Sequence, residues 1–145
     1  MDYTFADNDR VFVNKFSKTF ERGDEVVFHA NETDDYIKRI IGVPGDTIEY
    51  KNDVLYVNGQ VVEEPYLTKK IQEAKASGNS PLTPDFNIEY LSSTKSKTVP
   101  EGTYFVLGDN RQHSTDSRVF GFVKKEAMIG KVSLRYYPFN AFKLF

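Results

Sequence analysis

Short apolar runs at a period of two, rich in β-branched and aromatic residues and punctuated by turn residues, set the pattern of this chain. RVFVNK (10–15), DEVVFHA (24–30), YIKRIIGV (36–43) and TIEY (47–50) read as strands on that pattern. VLYVNGQVV (54–62) carries the strongest local signal, because Asn58-Gly59 between two strand-like runs predicts a two-residue hairpin. With a turn at Asn52-Asp53 before it, 47–62 is expected to be a meander of three strands. GTYFVLG (102–108) and KVSLRYYPF (131–139) add two more, the last ending at Pro138. Helical pattern is confined to 67–78 (LTKKIQEAKASG), from Thr68 to a stop at Gly78, and to a turn or two over 124–130 (KKEAMIG). From Gly78 to Thr98 the chain is rich in Ser, Thr, Pro and Asn, which predicts an irregular excursion. The expected fold is mainly β: antiparallel sheets with one or two short helices, forming a single domain over 1–145 with a long variable insertion at 67–98.

One position breaks the pattern. In DDYIKRIIGVPGD (34–46) a strand puts Tyr36, Lys38 and Ile40 on one face and Ile37, Arg39 and Ile41 on the other. A lysine between a tyrosine and an isoleucine on an apolar face is costly to bury while charged. Either it is a solvated gatekeeper on an edge strand, or it is an amine meant to lose its proton. Burial disfavours the charged form, so a desolvated lysine becomes a usable general base near neutral pH.

Composition narrows the function classes. The chain has 145 residues, 39% apolar and 28% charged, which is ordinary for a soluble globular domain. Nineteen basic against twenty-one acidic residues argue against a nucleic-acid partner. With no cysteine, and with His29 and His113 far apart, neither a disulfide framework nor a metal site is expected. No apolar run approaches the roughly 18 residues of a membrane span. No leader pattern is visible, and the opening MDYTFADNDRVFVNK reads like part of something longer.

The densest polar stretch is GDNRQHSTDSR (108–118), which follows a strand. A turn explains Gly108-Asp109-Asn110, but not two arginines, two aspartates and two serines packed into the same eleven residues. Such density predicts ion pairs that fix a loop and present a hydroxyl. Ser114 is a candidate nucleophile, a partner that orients a nearby amine, or a loop cap. Arg22-Gly23-Asp24 reads only as a turn entering a strand, and Val43-Pro44-Gly45-Asp46 as a tight turn closing the lysine strand.

Taken in order and spacing, RGDEVVF, YIKRIIGVPGD and GDNRQHSTDSR resemble the boxes of the type I signal peptidases. YKNDVLYVNGQ and the closing YYPFN are similar to the Gram-positive branch of that family, and residues 67–98 are the least matched. The resemblance implies a serine–lysine endopeptidase that removes amino-terminal signal peptides from exported preproteins, without a cofactor. It implies Lys38 as general base and Ser114 as the hydroxyl that orients the Lys38 amine. Asp116 and Arg118 become a supporting ion pair, with Arg39, Asp109, Asn110 and Arg111 in the surrounding network. Met1, Phe5, Val11, Val27, Tyr36 and Ile37 match positions that line pockets for small substrate side chains at −1 and −3. The family's nucleophile lies in a box Ser-Met-x-Pro-Thr-Leu, which Met1-Asp2-Tyr3-Thr4-Phe5 matches from its second position, with Tyr3 in place of proline. The serine is therefore expected immediately before Met1, outside the given sequence, so that the chain as given is expected to be inactive. An upstream membrane anchor would hold the domain on the extracytoplasmic face of the cell membrane.

Two other classes compete. One is a non-catalytic assembly factor or chaperone for surface proteins on the same scaffold, against which the retained Lys38 and Ser114 argue. The other is the self-cleaving repressor proteases, which share the chemistry but would bring a basic DNA-binding part. The tail YPFNAFKLF is read either as packing on the sheet or as an apolar patch resting on the membrane surface.

Overall fold

The computed structural model describes residues 10–15, 19–137 and 143–144, without the side chains of 10–12, 14, 133–137 and 143–144. In chain order the elements are β1 (Arg10–Asn14), β2 (Glu25–His29), β3 (Asp35–Gly42), β4 (Ile48–Lys51), β5 (Val54–Val57), β6 (Gln60–Val62), α1 (Thr68–Ser77), β7 (Phe86–Asn87), β8 (Thr103–Leu107), α2 (Ser117–Phe120), β9 (Val123–Lys124), β10 (Met128–Tyr137) and β11 (Lys143–Leu144). Single 3₁₀ turns occupy Pro65–Leu67 and Lys125–Ala127.

The strands form two antiparallel sheets. The larger has the order β1-β10-β2-β3-β8-β9, with β11 also paired to β10; the smaller runs β6-β5-β4-β7. The meander over 47–62 forms as its turn residues demand. Asn52 and Asp53 have φ of 54° and 64°, and Asn58 and Gly59 of 54° and 80°, the left-handed pairs that a tight hairpin needs. Asn58 adds a side-chain anchor, its Oδ1 accepting from the Thr47 N–H at 2.9 Å.

The two sheets share a core. Ile41, Phe105 and Leu107 of the larger pack with Ile48, Tyr50, Leu55 and Val57 of the smaller, and Ile88 and Val99 complete the cluster. On the opposite face of the larger sheet Phe20, Val26, Phe28, Ile40, Tyr104, Val106 and Val123 form a second cluster, with Tyr36 against it. Each such fully buried side chain contributes about 1.5–3 kcal/mol.

The structure refines two sequence expectations. The 78–98 excursion is irregular for most of its length, as expected, but it is anchored: β7 pairs with β4, Ile88 is fully buried, and Leu82 packs with Leu67 and with Ala74 of α1. Polar composition hid these apolar anchors, which come singly and without period. At 124–130 helical propensity loses to pairing, because Met128 joins β10 opposite Phe28, leaving only one 3₁₀ turn. In the tail, Lys143 and Leu144 pair with Arg135 and Leu134 of β10, as the sheet-packing reading expects of the backbone.

Candidate active site

Lys38 stands in the middle of β3, opposite Val26 of β2 and on the face that carries Tyr36 and Ile40. It is not an edge-strand gatekeeper, since β3 is paired on both sides, with β2 and β8. Only 9% of the residue is exposed. Its Nζ donates to Ser114 Oγ at 3.0 Å and lies 5.5 Å from the centre of the Tyr36 ring. An amine seventy-six residues away in sequence thus meets a hydroxyl in a mostly apolar setting.

Gly108, at the end of β8, makes that meeting possible. A Cβ there would overlap the Ser114 side chain, 2.6 Å from its Cβ, and stand 3.4 Å from Lys38 Nζ. The sequence reading took Gly108 as a turn residue only. Both of its peptide groups are held by charged side chains: its N–H donates to Asp116 Oδ2 at 3.1 Å, and its carbonyl accepts from Arg111 Nε at 2.8 Å. Asp116 is fully buried, accepts from Arg118 through both oxygens (Nε 2.9 Å, Nη2 2.8 Å), and caps α2 through the Arg118 N–H. Arg118 Nη2 also donates to the Arg111 carbonyl at 2.9 Å.

Arg39 points to the other face of β3. It binds Asp109 bidentately at 3.0 and 2.8 Å, donates to Glu25 at 2.7 Å, and covers the Tyr66 ring at 3.8 Å. Burial alone would lower its pKa, but Asp109 and Glu25 outweigh that and raise it, so this cation is permanent. Arg111 is fully buried and reaches across to the smaller sheet, donating to Tyr50 at 2.9 Å, Thr83 at 3.3 Å and Glu64 at 2.8 Å. Asn110 is buried beside it in sequence.

The expected substrate-contact residues fall in different places. Val27 and Ile37 face each other as a cross-strand pair, but on the side of the sheet opposite Lys38. Tyr36 is on the Lys38 side and, with Phe28, Phe120, Phe122, Thr115 and Ala127, lines a cleft of about 440 Å³. Val11 is a β1 residue paired with Arg135, and its side chain lies outside the described residues, as do Met1 and Phe5. Sequence reasoning missed Glu25, Tyr50, Glu64, Tyr66 and Phe120. Glu25 was within reach, because pairing 24–30 with 36–43 sets it opposite Arg39. Glu64 gave no such signal.

Among the described residues no group of three or more acidic or histidine side chains stands where it could hold a metal ion, and no helix is long and apolar enough to cross a membrane. The family model for "Signal peptidase, peptidase S26" matches residues 1–137. The chain belongs to that family. It is similar to signal peptidase IB of Staphylococcus aureus, 49% identical over 148 residues that cover 99% of this chain and 76% of the relative. Signal peptidase I of Bacillus caldolyticus is likewise 49% identical, over 96% of this chain and 75% of the relative. A crystal structure of a signal peptidase I from Enterococcus faecalis V583 superposes with a TM-score of 0.73 at 45% identity, covering 79% of this chain and 97% of that one. The mainly β, antiparallel fold and the serine endopeptidase class expected from the sequence are borne out, and nothing favours the assembly-factor reading.

Proposed function

We propose that this chain is the catalytic part of a membrane-bound signal peptidase I that cleaves exported preproteins after small residues, of the Ala-x-Ala kind, with a serine–lysine dyad. The single observation that supports it best is the buried Lys38 amine at 3.0 Å from Ser114 Oγ. Ser114 fixes the direction of the amine lone pair. Lys38 takes the proton of the nucleophilic serine, expected next to Met1 on its amino-terminal side, as that oxygen attacks the scissile carbonyl. The ester intermediate forms as the leaving amine takes a proton back from Lys38. The amine then activates water for deacylation. Backbone N–H groups at the serine hold the oxyanion.

The remaining side chains serve this pair. Asp116 with Arg118, and Asp109 with Arg39, hold the two chain segments that carry Ser114 and Lys38; Asn110 and Arg111 belong to the same frame. Met1, Phe5, Val11 and Tyr36 contact the small side chains of the substrate, while Val27 and Ile37 back β2 and β3 from the other side of the sheet. The domain works on the extracytoplasmic side of a Gram-positive membrane, close to its surface. No metal or other cofactor is called for by an amine–hydroxyl dyad. The test is cleavage of an Ala-x-Ala preprotein by the natural gene product. Lys38→Ala is expected to abolish it and Ser114→Ala to lower it severely; undiminished cleavage by Lys38→Ala refutes the assignment.

A further inference from the structure

Glu64 lies between β6 and the first 3₁₀ turn, outside every motif read from the sequence, yet it is buried. One carboxylate oxygen, Oε2, accepts from the Tyr50 hydroxyl at 2.7 Å, the Tyr66 hydroxyl at 3.0 Å and Arg111 Nη2 at 2.8 Å. Through Arg111 it reaches the Gly108 carbonyl, and Gly108 seats Ser114 against the Lys38 amine. A second route runs through Tyr66. That ring lies under Arg39, the residue after Lys38, and Arg39 grips Asp109, the residue after Gly108. Both routes leave one carboxylate just past β6; one ends on Gly108, which packs against the Ser114 side chain, and the other on Arg39, next to Lys38, and Asp109, next to Gly108.

We propose that Glu64, with Tyr66, is a positioning residue for the Lys38–Ser114 pair: it sets how deeply Gly108 seats Ser114 against the amine. The proposal rests on the reading of Lys38 as general base. The coupling is stable against pH. Burial would lower the pKa of Arg111, but Tyr50 and Glu64 outweigh it and raise it, so the guanidinium stays charged and its grip on Gly108 does not titrate. Loosening the grip admits water to Nζ, and water there favours the charged form of an amine. The acid limb of the rate profile then shifts to higher pH.

The experiment uses the natural gene product in detergent and an Ala-x-Ala peptide, with kcat and KM followed from pH 6 to pH 10. Tyr66→Phe removes one donor from Glu64 and keeps the ring under Arg39; Glu64→Gln removes the charge; exposed Glu63→Gln is the control. Expected for Glu64→Gln is a kcat loss of about tenfold or more, as small misplacements of reacting groups produce. KM should stay within about twofold, and the acid limb should move upward. Tyr66→Phe should show the same shift in weaker form, and it decides the matter if Glu64→Gln does not fold. Wild-type kcat in both variants overturns the proposal, and so does a loss that tracks the unfolded fraction by circular dichroism with the limb unmoved. Lys38→Ala separates the two levels: if it still cuts, the general-base reading falls and this proposal with it, whereas an inactive Lys38→Ala beside an unshifted Glu64→Gln overturns the proposal alone.

Discussion

Gly108→Ala is the smallest change that tests the geometry of the pair. The added methyl group would stand 2.6 Å from Ser114 Cβ and closer still to Ser114 Oγ, where carbon–carbon contacts prefer 3.5 Å or more. Ser114 has to withdraw by about 1 Å. Its hydroxyl now accepts from Lys38 Nζ at 3.0 Å, and the same displacement takes that contact beyond hydrogen-bond range. Displacement of that size costs about a hundredfold in rate. Forcing a methyl into a filled site costs about 1–3 kcal/mol of stability, and at about 2–4 °C per kcal/mol for a chain of this length the protein melts several degrees lower but still folds. Two measurements on the same preparation separate the effects: kcat on an Ala-x-Ala peptide, and the melting temperature by calorimetry. A Gly108→Ala protein with kcat within threefold of wild type would refute the argument, because the hydroxyl would then have no need to be where it is.

Lys38→Met should abolish cleavage yet leave the melting temperature equal to or above that of the parent, since an apolar chain replaces an amine held among Val26, Tyr36 and Ile40; a melting point lower by several degrees would make Lys38 structural instead. Asp109→Asn leaves buried Arg39 with Glu25 as its remaining carboxylate partner among the contacts described above and should cost up to about 3–5 kcal/mol, read from the urea midpoint. Alkaline stability follows from the tyrosines. Burial raises the pKa values of Tyr50 and Tyr66, and Glu64 beside them adds to it against the lowering by Arg111. Their neutral forms therefore stabilise the fold fully below the ordinary value near 10, and that contribution is lost as pH climbs above it. Phenolate absorbance should show these two of the nine tyrosines ionising only with unfolding; nine ordinary titrations in a still-folded chain would contradict it.

Legibility followed the locality of the signal. The meander over 47–62 was readable because Asn52-Asp53 and Asn58-Gly59 encode their own turns, and Lys38 was conspicuous because it violates a period-two pattern within its own strand. Glu64 and Tyr66 were invisible for the opposite reason. Their distant partners lie up to 47 residues away, Arg111 on the loop after β8 and Arg39 in β3 of the other sheet, and nothing beside them in sequence registers the need for a charge or a ring. Gly108 was seen but misjudged: its neighbours Asp109 and Asn110 supplied a turn that explained it, while its actual constraint, a side chain six residues on, is tertiary. The 124–130 segment makes the single turn its helix formers allow and no more, because a cross-strand partner of Met128, Phe28, a hundred residues earlier, claims its end for β10.

The loop 108–118 posed two rival readings in the sequence, a structural polar network and a presented hydroxyl, and the geometry joins them. Where a loop without a ladder is buried, as at both ends of this one, it leaves backbone groups that side chains must satisfy. Here Asp116 takes the Gly108 N–H, Arg111 the Gly108 carbonyl, Arg118 the Arg111 carbonyl and Ser117 the Val106 N–H. Each of the three arginines, 39, 111 and 118, has its own carboxylate, Asp109, Glu64 and Asp116. The network is thus structural in what it touches and catalytic in what it positions, and this predicts a pattern across variants. For Asp116→Asn, Asp109→Asn and Glu64→Gln the loss of kcat should rise with the loss of stability, because one displacement causes both. Lys38→Met should stand off that line, with no activity and no loss of stability. Calorimetry and peptide cleavage on the four proteins decide it. If the network variants lose stability while keeping kcat, the frame holds the fold alone and the position of Ser114 is set elsewhere.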